Sequence, residues 1–302
     1  MSRSYHVLVN DAAGPGADNH VPIQEIVDAF GRVGIDATVV AATARELPDA
    51  MRAAWKQGVD AIVVGGGDGT TNCAAGVAVD DEIVLGILPM GTFNHFAKDL
   101  GMPTDLSAAV DFLAAAEATS IDVGEVNGRI FVNNASVGVY PVMVSTRDEI
   151  RERHAWGKIR AAPVAIVHTL QRLPVHRLRL TLDDKPPVSV ETPFLFVGNG
   201  LFDDHGQRLG RRTSLADHSL GVYVIATTSR WRLVLNAIKA RFGGLRAAEQ
   251  TQRQAVEALI VESDEPAIEI ALDGEPTHLQ VPLHFRSRAG GLRVLAAPRL
   301  ES

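Results

Sequence analysis

Val63-Val64-Gly65-Gly66-Gly67-Asp68-Gly69-Thr70-Thr71-Asn72 passes from an apolar strand through a glycine-rich turn into the start of a helix. Glycine has no Cβ, so a bulky phosphate can approach the backbone there. The amide N–H groups of the helix N-terminus then face the anion. The run is not the common P-loop, which needs Gly-x-x-x-x-Gly-Lys followed by Ser or Thr. Gly65, Gly66, Gly67, Gly69, Thr70 and Thr71 are therefore candidate phosphate-site residues, and Asp68 could orient a metal ion or its bound water. A plain tight turn is the alternative reading of the glycines.

The flanking sequence alternates strand and helix. Residues 5–10 read as a buried strand ending at Asn10, and 22–33 as a helix with Ile23, Ile26, Val27 and Phe30 at helical spacing. A second strand at 37–42, a helix at 46–57, and strands at 61–64 and 83–88 follow. Such alternation implies a parallel sheet covered on both faces, an α/β domain. Ligands of these sheets sit at the carboxyl ends of the strands, where Asn10, Gly65 and Gly91 fall. The loop Pro89-Met90-Gly91-Thr92-Phe93-Asn94-His95 leads into another helix, and Thr92 and Asn94 offer short polar groups to a nucleotide phosphate or base. His95 by itself reads as a surface or capping histidine.

Beyond about residue 122 the texture becomes strand-rich. Val123 to Val132 reads as a hairpin around Asn127-Gly128, and strands are expected at 176–182, 188–197, 220–226, 267–272, 279–285 and 292–295. Helices are expected near 156–172 and 230–242. The second domain is thus mainly antiparallel β. In Leu272-Asp273-Gly274-Glu275 two carboxylates alternate with glycine, and on a strand they would point to one side. An alcohol nucleophile needs such a proton acceptor, while Mg²⁺ neutralises phosphate charge. An acidic turn between strands is the competing reading.

A chain of 302 residues favours two domains, and 46% hydrophobic with 22% charged residues excludes wholesale disorder. The single Cys73 excludes a disulfide framework and a multi-cysteine metal site, and fits a cytoplasmic chain. No run of 18 apolar residues suggests a membrane span, and the N-terminus lacks the shape of a signal peptide. The net charge is −7, yet residues 151–250 hold 16 Lys+Arg against 8 Asp+Glu. Within them, Arg230, Arg232, Lys239, Arg241 and Arg246 share 230–246 with Trp231, Val234, Leu235, Ile238, Phe242 and Leu245 at helical spacing. A basic amphipathic helix suits an anionic bilayer or packs on the second domain's sheet.

Taken in order, Gly-Gly-Gly-Asp-Gly-Thr at 65–70, Gly-Thr-Phe-Asn-His-Phe-Ala-Lys at 91–98, Phe131 to Gly138, Phe196 to Gly200 and Leu272 to Glu275 resemble the diacylglycerol kinase catalytic-domain family, which includes bacterial lipid kinases and sphingosine kinase-like enzymes. The resemblance implies a two-domain fold of the NAD kinase-like type. Its nucleotide domain would cover 1–124 with 289–302 returning to it, and its lipid domain 125–288. It also implies transfer of the γ-phosphate of ATP to a lipid hydroxyl, with Mg²⁺. Asn10, Thr43, Gly65 to Thr71, Gly91, Thr92 and Asn94 would form the nucleotide site, and Asp273 and Glu275 the acidic pair that deprotonates the lipid. Asp217 would mark the family's structural Mg²⁺ site. Departures are His95 where the family often has Asp, and Ala216 and His218 around Asp217. The expected partners are a lipid at a membrane surface and no nucleic acid, with a homodimer left open and peripheral membrane association allowed. An NAD kinase-type phosphotransferase and a non-catalytic nucleotide- or lipid-binding pseudokinase are the alternatives.

Overall fold

The structure is a computed structural model that describes residues 3–10, 21–138, 175–203, 212, 214–225 and 251–297. The chain divides into two units, Met1–Val123 with Arg288–Ser302, and Gly124–Ser287.

The first unit is α/β. Strands β1 (Ser4–Val9), β2 (Asp36–Ala41), β3 (Ala61–Gly66) and β4 (Val84–Pro89) pair in parallel in the order β2-β1-β3-β4. Arg293 and Val294 of β16 (Leu283–Ala296) extend the sheet beside β4, also in parallel. β3 and β4 are buried along their whole length, as parallel strands covered on both faces must be. Their near-continuous Val, Ile and Leu supply that core. Helices α1 (Ile23–Arg32) and α5 (Leu106–Ala115) pack together, as do α2 (Leu47–Trp55) and α3 (Asp68–Asp80). Each buries an apolar stripe, for example Ile26 and Phe30 of α1. The chain leaves β1 for β2 on one side and returns to β3 on the other. The gap between the ends of β1 and β3 is therefore the topological switch point, where such sheets bind ligands.

The second unit is antiparallel. One sheet has the order β12 (Thr251–Val256), β11 (Leu220–Ile225), β10 (Phe194–Asn199), β7 (Asn134–Gly138), β14 (Ala267–Leu272), β15 (Glu275–Gln280). The other pairs β9 (Val188–Thr192), β8 (His176–Leu182), β13 (Ala258–Ser263) and the first half of β16. Between them lies a core that includes Ala135, Val137, Val197, Leu180, Val261 and Phe285. The hairpin of β5 (Glu117–Val126) and β6 (Arg129–Phe131) turns at Asn127-Gly128, both at positive φ, as the sequence predicts.

Three strand expectations change. The stretch 188–197 is two strands in different sheets, because Pro193 has no N–H for a ladder and the chain changes sheets there. The Thr192 hydroxyl stabilises the switch by accepting from the Phe194 N–H (3.0 Å) and donating to the Phe194 carbonyl (2.8 Å). The stretch 279–285 divides at Val281-Pro282 for the same reason. Strands β12 and β13 were not expected, since Thr251-Gln252-Arg253-Gln254 shows no apolar alternation. The helices expected near 156–172 and 230–242, and the basic stretch 230–246, lie outside the described residues.

Candidate active site

The glycine run forms the turn between β3 and α3 at the switch point. Gly67 caps α3 with extended backbone and no side-chain cap. The first intrahelical bond is Thr71 N–H to the Gly67 carbonyl (3.0 Å). The N–H groups of Asp68, Gly69 and Thr70 precede it and have no partner within the helix. The second loop closes over the first: a Cβ on Gly91 would fall 2.5 Å from the Gly67 Cα. Any side chain there would push the loops apart. A Cβ on Gly67 itself would meet nothing closer than the Gly91 Cα at 3.4 Å. The result is a backbone cradle beneath three amides with the positive end of a 13-residue helix behind it. That arrangement suits a phosphate.

The polar side chains of the motifs mostly hold this cradle in shape. Asn10, at the end of β1, accepts no shift of register: its N–H donates to the Gly65 carbonyl (2.9 Å) and its Nδ2 to the Thr70 hydroxyl (2.7 Å). Thr70 in turn fills the space where a Gly66 side chain would stand. Asp68 accepts from the N–H of Asn94 (3.0 Å) and of His95 (2.7 Å), tying the two loops together and starting α4 (His95–Asp99). Asn94 sits in the left-handed region at φ 50° and closes its carboxamide on Gly91, accepting from its N–H and donating to its carbonyl. Thr71 is buried behind the loop, and Thr92 is exposed in the second loop. Thr43 is engaged elsewhere: its N–H and hydroxyl both donate to the Glu46 carboxylate at the start of α2, which holds that carboxyl below its usual range. The sequence motif did not single out Asn72, whose Oδ1 and Nδ2 are buried without a hydrogen-bond partner.

In the second unit the acidic pair is a turn rather than part of a strand. Asp273 (φ 48°) and Gly274 (φ 94°) form a two-residue hairpin turn between β14 and β15, closed by the pair Leu272–Glu275. The expectation that the two carboxylates alternate along a strand is corrected accordingly. Asp-Gly readily supplies two successive left-handed residues, and the chain reverses there. The two carboxylates then differ sharply. Asp273 accepts from the N–H groups of Val132 (2.8 Å), Asn133 (2.7 Å) and Asn134 (2.9 Å). Burial pushes its carboxyl up to about 6, against the pull of those three donors and the Arg212 guanidinium. Arg212 and Asn199 both donate to the Val132 carbonyl, which fixes the clamped segment from its other side. Neither was a site candidate: Asn199 was quoted only within the Phe196 to Gly200 motif, and the two stand 67 and 80 residues from Val132, so their meeting with it is not a local pattern. Glu275, the first residue of β15, is exposed.

Asp217 is exposed near Gly200 and the Ser214 carbonyl. Among the described residues no group of three or more His, Cys, Asp or Glu side chains is arranged to hold a metal.

Residues 4–126 match the diacylglycerol kinase catalytic domain family model. A probable lipid kinase YegS-like from Pectobacterium atrosepticum is 30% identical over 224 residues, 72% of this chain and 72% of that protein. The chain belongs to the diacylglycerol kinase catalytic-domain family. Lipid kinase YegS of Escherichia coli is 32% identical over 167 residues, an alignment that spans about half of each protein, 53% and 54%. A diacylglycerol kinase from Bacillus anthracis superposes with TM-score 0.70 at 21% identity, covering 98% of this chain and 97% of that one. A putative diacylglycerol kinase from the same organism gives 0.74 at 24% identity, covering 98% and 96%. These two share the fold. Within this lipid-kinase family, the cradle and the Asp-Gly-Glu hairpin occupy the motifs on which the resemblance rests.

Proposed function

We propose that this chain transfers the γ-phosphate of ATP to a hydroxyl of a diacylglycerol- or sphingoid-type lipid. The observation that carries the reading is the backbone cradle of Gly67 and Gly91 at the α3 N-terminus, set at the switch point of the sheet. It suits a polyphosphate, and at Gly91 it leaves no room for a side chain. The Asp68, Gly69 and Thr70 amides would hold the phosphates. Mg²⁺ usually binds through one or two carboxylates together with substrate phosphates, and when bound it would neutralise phosphate charge. The described residues fit an ion that arrives with the nucleotide better than a resident one, because they form no metal cluster of their own. Glu275 is the exposed carboxylate available to accept the hydroxyl proton, and Asp273 holds its hairpin in place.

A lipid acceptor is supported by the outer face of the second unit's first sheet. Phe196 stands 5.6 Å from both Phe202 and Tyr223 and 6.1 Å from Phe194. Ser136, which pairs with Phe196 across β7 and β10, carries a buried hydroxyl with no hydrogen-bond partner. An aromatic wall with one buried hydroxyl suits an apolar chain that bears a polar group. The acceptor would be met at a membrane surface, because a lipid with long apolar chains resides there; no described helix is long and apolar enough to cross a membrane.

Incubation of the full chain with radiolabelled ATP, Mg²⁺ and separate acceptors (diacylglycerol, sphingoid base, NAD) tests the reading. Label is expected in a lipid product. Label on NAD would replace this function with the NAD kinase type, and label on no acceptor would leave a binding protein.

A further inference from the structure

The parallel strands of the first unit end at β2, and its outer edge is unlike the other strand edges. In the ladder with β1, alternate residues of β2 turn their N–H and carbonyl toward β1. The Asp36 N–H donates to the Arg3 carbonyl (3.0 Å) and the Ala42 N–H to the Val9 carbonyl (2.9 Å), which sets the phase. The even-numbered residues therefore face β1, and Ala37, Val39 and Ala41 turn their backbone groups away from it. Among the described residues no other strand pairs with β2, and Ala37, Val39 and Ala41 make no further hydrogen bond. An open row of this kind is a template for another strand, and proteins usually guard it with charge, proline or a bulge. The other edges are guarded. β6 carries Arg129, β9 carries Glu191 and stands between Pro187 and Pro193, β12 carries Arg253, and β15 carries Pro276. From Ala37 to Ala41, β2 reads Ala-Thr-Val-Val-Ala, with no charge and no proline. Thr38, Val40 and Ala41 are exposed, Val40 at 42%.

We propose that β2 pairs with β2 of a second copy of this chain, antiparallel, about a two-fold axis at Val39. That register sets Val39 against the partner's Val39 and Ala37 against the partner's Ala41. It gives every outward N–H and carbonyl of Ala37, Val39 and Ala41 a counterpart. Thr38 falls opposite the partner's Val40 on one face, so the exposed valine is covered by a β-branched neighbour. Asp36 falls opposite the partner's Ala42, so no like charges meet along the strand, although the chain carries −7 overall. A two-fold interface asks one patch to complement itself, and this strand does so. With six residues in the strand, the contact lies at the low end of specific interfaces, below about 1,200 Å², and the dimer is reversible. The pairing uses no residue of the cradle or of the Asp-Gly-Glu hairpin, so it does not depend on the function proposed above.

Sedimentation equilibrium of the full chain over about 1–100 µM, the range of a weak reversible contact, tests the pairing. The wild type is expected to move from monomer to dimer across that range. Thr38→Lys with Val40→Lys changes two exposed side chains and sets ammonium against ammonium across the axis. Circular dichroism should stay native, and dimerisation should weaken at least about tenfold, because two like-charged pairs stand directly opposite. Thr38→Glu with Val40→Lys sets each carboxylate opposite the partner's ammonium and should dimerise at least as tightly as the wild type. A wild type that stays monomeric throughout overturns the proposal, and so does a double-lysine variant that dimerises like the wild type. A glutamate–lysine variant that associates no better than the double-lysine one overturns the register and with it the axis at Val39. Species larger than a dimer would contradict a contact closed by a two-fold axis.

Discussion

The two motif regions are built by opposite means. In the first unit the conspicuous polar residues are engaged in building: Asp68 ties two loops, Asn94 closes on Gly91, and Asn10 holds Thr70. What is left to meet a ligand is backbone, the amides over a glycine cradle. In the second unit the backbone is what is held, with three N–H groups drawn onto Asp273, and the exposed group is a side chain, Glu275. A phosphate has charge on several oxygens and suits an array of fixed dipoles. A hydroxyl proton needs a single positioned acceptor. On the proposed function, the difference between the regions is the difference between holding an anion and taking a proton.

That contrast can be broken most forcefully at Glu275. Positioned general bases contribute about 10²–10⁴-fold, so Glu275→Gln is expected to lower lipid turnover by that factor with ATP affinity within about twofold of wild type. Equal losses of affinity and turnover would blur the two regions into one. Gly67→Val should do the reverse. Its φ of −91° is open to any residue and a Cβ has room, so circular dichroism should stay native. The valine methyls would stand where phosphate approaches, and ATP affinity should fall about 100-fold, roughly 2.7 kcal/mol. Unchanged affinity would reduce the cradle to a tight turn.

Asp273 sharpens the structural half of the contrast. Its carboxyl is raised from 3.8 to about 6 by burial. Between those values the folded chain keeps a proton that the unfolded chain has released, so this group's contribution to stability falls as pH rises through that window and is level above it. Thermal unfolding from pH 4 to pH 7 should show the slope, and Asp273→Asn, which has no proton to exchange, should remove it. A slope of the same size in the variant would place its origin elsewhere. The smallest effect is expected at Thr43. Losing its hydroxyl removes an exposed hydrogen bond to Glu46 and should lower the Tm only slightly, with ATP affinity unchanged. A clear loss of affinity in Thr43→Ala would return Thr43 to the nucleotide site.

Much of the first unit was legible because its signals are local. An apolar strand, a glycine turn and a helix stand within ten residues, and the buried parallel strands β1, β3 and β4 follow from their composition. The α/β and antiparallel division also followed from texture. The second site was legible as a motif and misread as geometry: alternation of Asp273, Gly274 and Glu275 looks like a strand, while positive φ at two of them makes a turn. Sequence shows which residues favour that φ and does not show which use it. The roles of Asn199, which sits in the quoted Phe196 to Gly200 motif, and of Arg212 were not legible, because they depend on meeting Val132 across the fold. Asn72 was quoted within the motif, yet nothing in a sequence distinguishes a satisfied carboxamide from an orphaned one.

The division of labour between cradle and hairpin is tested most directly by single-turnover lipid phosphorylation at saturating ATP, which isolates transfer from binding and release. Glu275→Gln is predicted to bind ATP like the wild type and to transfer its phosphate at least about 100-fold more slowly. Transfer at the wild-type rate would contradict the account and leave Asp273-Gly274-Glu275 as an ordinary hairpin turn.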